Sequence, residues 1–209
     1  MQRCVIVGGA AIHQYQRIRD RLRQDDWLVY CDSGLKHTQE LGRDPDLIVG
    51  DFDSHEKPET DTETIVLPCE KDDTDTAYAV KEAVRRGYRE FLLIGVIGER
   101  FDHTLGNVSL LLYLDSLHIP ACILDDYSEM RIISRETVEI KGDSSWFSLL
   151  NISGNARGIT VRGAKYPLTD GEISSEYQFG ISNEVLPGKT ASVSVREGRL
   201  LLVEVFGQN

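Results

Sequence analysis

The sequence has 209 residues, 41% hydrophobic and 27% charged, which is ordinary for a soluble globular protein and allows one large domain or two small ones. The formal net charge of -11, with a pI of about 4.9, argues against general nucleic-acid binding, which needs a basic stripe. It leaves room for a small anionic ligand, because a bound metal ion inverts the local field.

Cys4 to Val7 reads as a strand ending in the turn Gly8-Gly9, and the run from about His13 to Gln24 can form a helix. Trp27 to Cys31 is a second strand, followed by Asp32-Ser33-Gly34. A short helix then runs to Leu41 and stops at Gly42, a residue suited to the position just past a helix end. Leu47 to Val49 is the third strand, and Thr64 to Leu67 a fourth, ended by Pro68. Asp73 or Thr74 caps a helix over Asp75 to Arg86, with Gly87 as its stop. Phe91 to Gly95 is a strand, and His103 to Leu114 is apolar enough for a helix packed on a sheet. Ala121 to Leu124 is the last strand of the series, before Asp125-Asp126. Helices alternating with near-continuous apolar strands predict an α/β, Rossmann-like parallel sheet with helices on both faces.

The second half changes character. Met130 to Ser134, Val138 to Ile140, Trp146 to Leu150, Gly158 to Val161, Ala191 to Val195 and Leu200 to Phe206 are short β-like runs. Gly142-Asp143, Gly154-Asn155, Pro187-Gly188 and Glu197-Gly198 punctuate them, and no helical pattern intervenes. This predicts an all-β sandwich or barrel. The boundary falls near Asp125 to Glu129, dividing the chain into 1–126 and 127–209, with no low-complexity linker and no internal repeat.

Cys4, Cys31, Cys69 and Cys122 form no CxxC pair, and three of them sit in apolar strand-like runs, as buried structural thiols do. The first apolar run, Arg3 to Val7, is too short for a signal-peptide core, and no run is long enough to span a membrane. A reduced cytoplasm is the expected compartment.

The acid is concentrated. From Arg43 to Asp75 the chain carries twelve acidic residues against Arg43, Lys57 and Lys71, a net of nine negative charges. Much of it, such as Glu56 to Glu63, reads as a solvated face. Asp51, Asp53 and Asp75 instead abut apolar segments. Leu47-Ile48-Val49-Gly50-Asp51-Phe52-Asp53-Ser54 is an apolar strand running into two carboxylates one residue apart, a site that repels itself without a cation. Asp32, Asp51, Asp53, Asp72 to Asp75, Arg100, Asp102 and Asp125 all follow predicted strands. In a parallel sheet they line one edge, where ligands bind. Converging carboxylates suit Mg²⁺, and Lys71 and Arg100 offer charges for phosphate oxygens. Taken alone, the paired acids also read as a structural turn, and Lys71 and Arg100 as surface charges. His103, at a predicted helix start, fits a capping or core role better than that of a base. There is no Walker loop, no dinucleotide fingerprint at Gly8-Gly9-Ala10 and no Gly-x-Ser-x-Gly elbow.

The order of motifs resembles the thiamine pyrophosphokinase family. Asp32-Ser33-Gly34, Gly50-Asp51-Phe52-Asp53-Ser54, Lys71-Asp72-Asp73-Thr74-Asp75 and Gly98-Glu99-Arg100-Phe101-Asp102-His103 look like its signature blocks. Gly163-Ala164-Lys165-Tyr166-Pro167-Leu168 and Gly180-Ile181-Ser182-Asn183-Glu184 look like its C-terminal blocks, with Ala164 where the family pattern commonly has Leu. The resemblance covers nearly the whole chain. It implies an α/β catalytic domain over 1–126, a β-sandwich for thiamine binding and dimerisation over 127–209, and a homodimer. It implies transfer of pyrophosphate from ATP to the hydroxyl of thiamine, giving thiamine diphosphate and AMP. By the same resemblance Asp51, Asp53 and Asp75 hold Mg²⁺, with Asp32 nearby. Asp32, Lys71, Thr74 and Arg100 serve the nucleotide, and Asp72, Arg100 and Asp102 the chemistry. Ser182 and Asn183 seat thiamine at the subunit interface. An aromatic residue against a cationic thiazolium ring is also implied, and Tyr166 is one choice.

Two other readings share these residues. Asp51-Phe52-Asp53-Ser54 also resembles the nucleophile loop of haloacid-dehalogenase-type phosphatases, although the β-rich second half does not suit that family. A nucleotide sensor without turnover would need the same metal and ligand contacts.

Overall fold

The computed structural model describes residues 2–52, 58–70, 72–142 and 144–207. The chain divides into two compact units, Met1–Asp126 and Tyr127–Asn209. In the first unit, β1 (Cys4–Val7), β2 (Trp27–Cys31), β3 (Leu47–Gly50), β4 (Thr64–Val66), β5 (Phe91–Ile94) and β6 (Ala121–Leu124) lie in the order β4-β3-β2-β1-β5-β6. All neighbouring pairs are parallel. Every residue of β1, β3 and β5 is buried, the pattern of strands covered on both sides.

From β1 to β4 the chain steps one way across the sheet, and from β5 to β6 the other way. Right-handed crossovers therefore send the helices of the two halves to opposite faces. In agreement, α1 (Tyr15–Arg19) packs on α2 (Thr38–Leu41), while α3 (Asp75–Arg85) packs on α4 (Phe101–Ser116). The reversal falls between β1 and β5, so the crevice beyond Val7 and Ile94 is the switch point of the sheet.

Helix ends follow side-chain chemistry. Thr74 Oγ1 accepts the Ala77 N–H at 3.2 Å and caps α3, a contact that contributes roughly 1 kcal/mol. Ala79, Val80 and Ala83 face the sheet. α2 closes at Gly42 with φ of 64°. The first helix is shorter than its sequence predicts, five residues rather than about twelve. Tertiary contacts compete for the backbone there: Arg3 takes the Arg21 carbonyl at 2.7 Å, and Asp26 takes the Arg23 N–H at 2.7 Å. The same two side chains form a buried fork at 2.7 and 2.9 Å. α4 begins two residues before the expected His103.

The second unit is antiparallel throughout. β7 (Ser128–Ile133), β13 (Leu200–Phe206) and β9 (Ser144–Leu150) form one layer. β11 (Leu168–Ile173), β10 (Ala156–Arg162), β12 (Ala191–Ser194) and β8 (Val138–Ile140) form the other. One apolar cluster draws on both: Ile133, Phe147, Leu149, Leu200 and Leu202 from the first, Ile140, Ile159, Val161, Ile173 and Val193 from the second. This is the predicted sandwich. β11 was not legible in sequence. Its register shifts twice against β10, and Asp170 within it has φ of 52°, so the apolar alternation is broken.

Candidate active site

Because β1 to β6 run the same way, the residues that follow them meet at one edge. Asp32 opens a 3-10 turn, Asp32–His37, directly after β2. Its backbone has φ of 37°, and its buried Oδ1 has no hydrogen-bond partner among the described residues. Gly50 ends β3 against it: a Cβ on Gly50 would lie 3.0 Å from the Asp32 Cβ. Gly34, in the same turn, sits where a Cβ would come within 2.3 Å of the Val7 carbonyl. Only glycine lets these strand ends approach so closely.

Asp51 follows Gly50 and is half-buried, and Phe52 after it has φ of 53°. Asp53 and Lys71 lie outside the described residues. Asp75 is the first residue of α3. Cys31, at the end of β2, links the group: burial pushes its thiol up, the Asp75 carboxylate adds to the shift, Thr76 offsets part of it by a hydrogen bond, and Asp32 adds again. Asp32 and Asp75, 43 positions apart, are thus neighbours of one buried thiol. The other acids of that block are less enclosed. Asp72 is exposed, and Asp73 binds Lys81 at 2.6 and 2.7 Å.

The loop after β5 closes the edge. Ala10 donates its N–H to Gly95 O at 2.8 Å, Asn107 donates to Val96 O at 2.8 Å, and Thr104 Oγ1 accepts from the Gly98 N–H at 3.1 Å. Arg100 and Asp102 follow, paired through two bonds of 3.0 and 2.6 Å. That guanidinium holds the Asp102 carboxyl well below the usual carboxylate range. Both side chains are exposed. His103 is exposed as well, so it is not a core residue. Asp125 is half-buried, whereas Asp126 is buried and accepts the N–H groups of His13 and Gln14 at 2.8 to 3.1 Å.

Sequence reasoning passed over Lys36, whose ammonium donates to Gly9 O, and His37 beside it. Their signal was positional: both lie on the turn that begins at Asp32.

The donor chemistry fits a hard divalent cation. Asp32, Asp51 and Asp75 present carboxylate oxygens at one edge, and the orphan Oδ1 of Asp32 is a buried acceptor that a cation or water would satisfy. Among the described residues, no three His, Cys, Asp or Glu side chains are drawn closely enough to hold a metal ion by themselves.

In the second unit, Leu149, Tyr166, Leu168, Phe179, Ile181 and Asn183 help to line an apolar cavity of about 140 Å³. Ser182 is exposed on a left-handed backbone with φ of 60°, its N–H donated to Ser148 Oγ at 3.0 Å. The Asn183 amide is spent within the unit. Its Oδ1 accepts from the N–H groups of Tyr166 and Glu184 at 3.0 and 2.9 Å, and its Nδ2 donates to Tyr166 O at 2.8 Å. Cys4 and Cys31 are buried as expected, Cys122 is half-buried and Cys69 exposed, and none of the four is in a disulfide.

A doubly wound sheet with carboxylates along its carboxyl edge and an all-β second unit suit a transferase of the kinase type, the class to which the matching family model belongs. Residues 18–123 match the family model described as the thiamin pyrophosphokinase catalytic domain, and residues 132–200 match that of the thiamin pyrophosphokinase vitamin B1 binding domain. The chain belongs to the thiamin pyrophosphokinase family. It is similar to the thiamine pyrophosphokinase of Bacillus subtilis (strain 168), 27% identical over 183 residues that span 84% of this chain and 85% of the relative. It is similar to the solved thiamin pyrophosphokinase of Geobacillus thermodenitrificans, with a TM-score of 0.83, 29% identity, and coverage of 100% of this chain and 99% of that one. The solved B. subtilis structure shares the fold, with a TM-score of 0.87, 21% identity, and coverage of 99% and 100%.

Proposed function

We propose that this enzyme carries out the reaction of its family at the strand-end edge of the first unit: pyrophosphate passes from ATP to the hydroxyl of thiamine, giving thiamine diphosphate and AMP. The observation that carries the reading is the placement of three carboxylates at one strand-end edge: Asp32 after β2, with its buried Oδ1, Asp51 on the adjoining strand end, and Asp75 at the start of α3. Asp51, Asp53 and Asp75 would hold Mg²⁺, with Asp32 beside them. When bound, the ion neutralises charge along the polyphosphate.

The chain's own residues divide the remaining work. Transfer of this kind is mostly positioning and charge balance, so cations and carboxylates suffice. Lys71, Thr74 and Arg100 would fix the nucleotide, Asp32 would face it, and Asp72 and Asp102 would orient the reactants or assist loss of the hydroxyl proton. Release of Arg100 from Asp102 on nucleotide binding would free both for these roles. Ser182 offers an exposed hydroxyl to thiamine, while Asn183 acts through Tyr166, whose backbone it holds on both sides. In this reading residues 1–126 form the catalytic domain and 127–209 the thiamine-binding and dimerisation domain.

We also read the protein as a cytoplasmic homodimer that binds no nucleic acid and no membrane. Cysteines held outside any disulfide support the compartment, and among the described residues no helix is long and apolar enough to cross a membrane. Sedimentation at micromolar concentration should give a dimer, and a fully active monomer would contradict it.

The test of the reaction is an early-time product analysis with Mg²⁺, thiamine and ATP labelled at the β-phosphate. Label should appear in thiamine diphosphate with AMP in equal amount. ADP ahead of AMP, or label on the protein, would overturn direct transfer.

A further inference from the structure

The loop after β1 is held by side chains to which neither the motifs nor the proposed reaction gives a task. His37 is among them. Its side chain points from the 3-10 turn after β2 into the first unit, and the residue is only 1% exposed. Its Nε2 lies 2.8 Å from Ala10 O, and its Nδ1 lies 2.7 Å from the Tyr15 hydroxyl. A carbonyl oxygen can only accept, so Nε2 carries the proton. Burial lowers the pKa of His37, with Lys36 adding to that and the Ala10 carbonyl and Asp126 opposing it. The ring is therefore neutral near pH 7, Nδ1 is bare, and the Tyr15 hydroxyl donates to it. Tyr15 keeps its proton, because burial raises its pKa, with Glu40 and Asp126 adding to the shift.

Ala10 lies in the loop after β1, where three contacts meet. Its N–H is donated to Gly95 O at 2.8 Å, its carbonyl takes His37, and its methyl group packs on Gly98. Gly98 stands two residues before Arg100. The flanking backbone is pinned as well, by Lys36 at Gly9 O and by the Asp126 carboxylate at His13 and Gln14. His37 joins the loop at Ala10 both to helix α1, through Tyr15, and to the turn bearing Asp32.

We propose that His37 is a positioning residue: its Nε2–H tautomer locks the Gly8–Gln14 loop against the Gly95–Arg100 loop and thereby sets the shape of the nucleotide crevice. The claim rests on the reading that ATP occupies this edge of the sheet. It requires no contact between His37 and substrate.

Three variants separate the two bonds. His37→Gln places an amide N–H where Nε2 stands, His37→Phe keeps a ring and loses both bonds, and Tyr15→Phe loses only the second. With His37→Phe the KM for ATP should rise about tenfold while kcat changes less than about threefold, the scale of one buried hydrogen bond lost from a ground-state support. His37→Gln should stay within about threefold of wild type in both constants, since the bond to Ala10 is retained. Tyr15→Phe should fall between them. Amide exchange over residues 8–14 should accelerate in His37→Phe and not in His37→Gln. In long-range proton–nitrogen spectra of the wild-type protein at neutral pH, His37 should show a protonated Nε2 and a bare Nδ1.

The opposite tautomer, a charged ring, or equal losses in His37→Gln and His37→Phe would overturn the proposal. An unmoved KM for ATP in all three variants would do so too. If wild type forms no AMP from ATP, the nucleotide reading fails instead. The exchange and tautomer measurements, which need no substrate, then decide whether His37 locks the loop.

Discussion

In the first unit all six strands deliver their carboxyl ends to one edge, whereas in the second the strands alternate in direction and no edge collects them. The first arrangement gathers polar residues from distant parts of the chain and leaves some incompletely satisfied, as at Asp32 Oδ1. The second buries a two-layer apolar core and uses the Asn183 amide to hold its own backbone. One unit is thus built to concentrate charge, and the other to hold an apolar cavity in shape. The contrast predicts that substitutions in the two units will damage different observables.

The largest effect should fall on stability in the sandwich. Phe147 on β9 is 1% exposed at the centre of the shared cluster. Phe147→Ala should cost about 3–5 kcal/mol, the range for emptying a packed aromatic site. Urea denaturation measures it, and a change below about 1 kcal/mol would mean that the two layers are not packed on this ring.

Next comes the charged edge. Asp75→Asn keeps the size of the side chain and removes the charge that a divalent cation requires. Turnover should fall by at least about 100-fold, the scale for losing one major electrostatic contact, with the unfolding midpoint nearly unchanged. Wild-type turnover in this variant would remove Asp75 from the site and leave the edge without its link between β2 and α3. A smaller effect is expected from the cavity. Tyr166 is exposed and lines it, so Tyr166→Ala should raise the KM for thiamine about tenfold through lost aromatic contact with a cationic ring. The KM for ATP should not move. Equal changes in both constants would mean that the two units do not divide the substrates between them.

The same contrast explains what the sequence disclosed. β2, β3 and β5 were legible because each is a short apolar run cut off by Asp, Gly or both. The acids that follow mark where a buried strand meets solvent. Asp32 and Asp75 could be placed on one edge from topology alone, but that both act on the buried Cys31 thiol needed coordinates. His37 was invisible for a different reason: a buried histidine looks like any other until its two ring nitrogens find partners, Ala10 and Tyr15, outside its own element. In the sandwich, the cavity residues come from strand positions and irregular segments with no shared spacing, and β11 is disguised by its bulges. Asn183 stood out only by resemblance, which pointed to the position without revealing that its amide holds a neighbouring backbone. The end of α1 was lost to Arg3 and Asp26, whose pull on the chain past Arg19 no local pattern encodes.

The smallest effect separates the two ends of one helix. α3 begins at Asp75, at the charged edge, and ends near Glu82, Arg85 and Arg86 at the opposite edge, where β2 and β4 begin. Glu82 is 7% exposed and is bound by Arg85 at 2.7 Å and by Arg86 at 2.7 Å. Arg86 also binds Glu63, just before β4, and lies 5.5 Å from the centre of the Trp27 ring, which stacks on Tyr88 at 4.4 Å. The guanidinium of Arg85, with help from Arg86 and against the cost of burial, lowers the Glu82 carboxyl from 4.5 to about 2. A carboxyl depressed in the folded state stabilises the protein above its unfolded pKa, and the contribution is lost as pH falls through the folded value. Above about pH 5, Glu82→Gln should therefore be less stable than wild type by about 1–2 kcal/mol, the shift being discounted because Arg85 stands in solvent. Between about pH 4.5 and pH 2 the gap should close. Turnover at neutral pH should be unaffected, since this end of α3 lies away from the carboxyl edge. A gap that persists at pH 2 would assign the loss to packing rather than to charge, and a fall in turnover without a fall in stability would join the two ends of the helix in function.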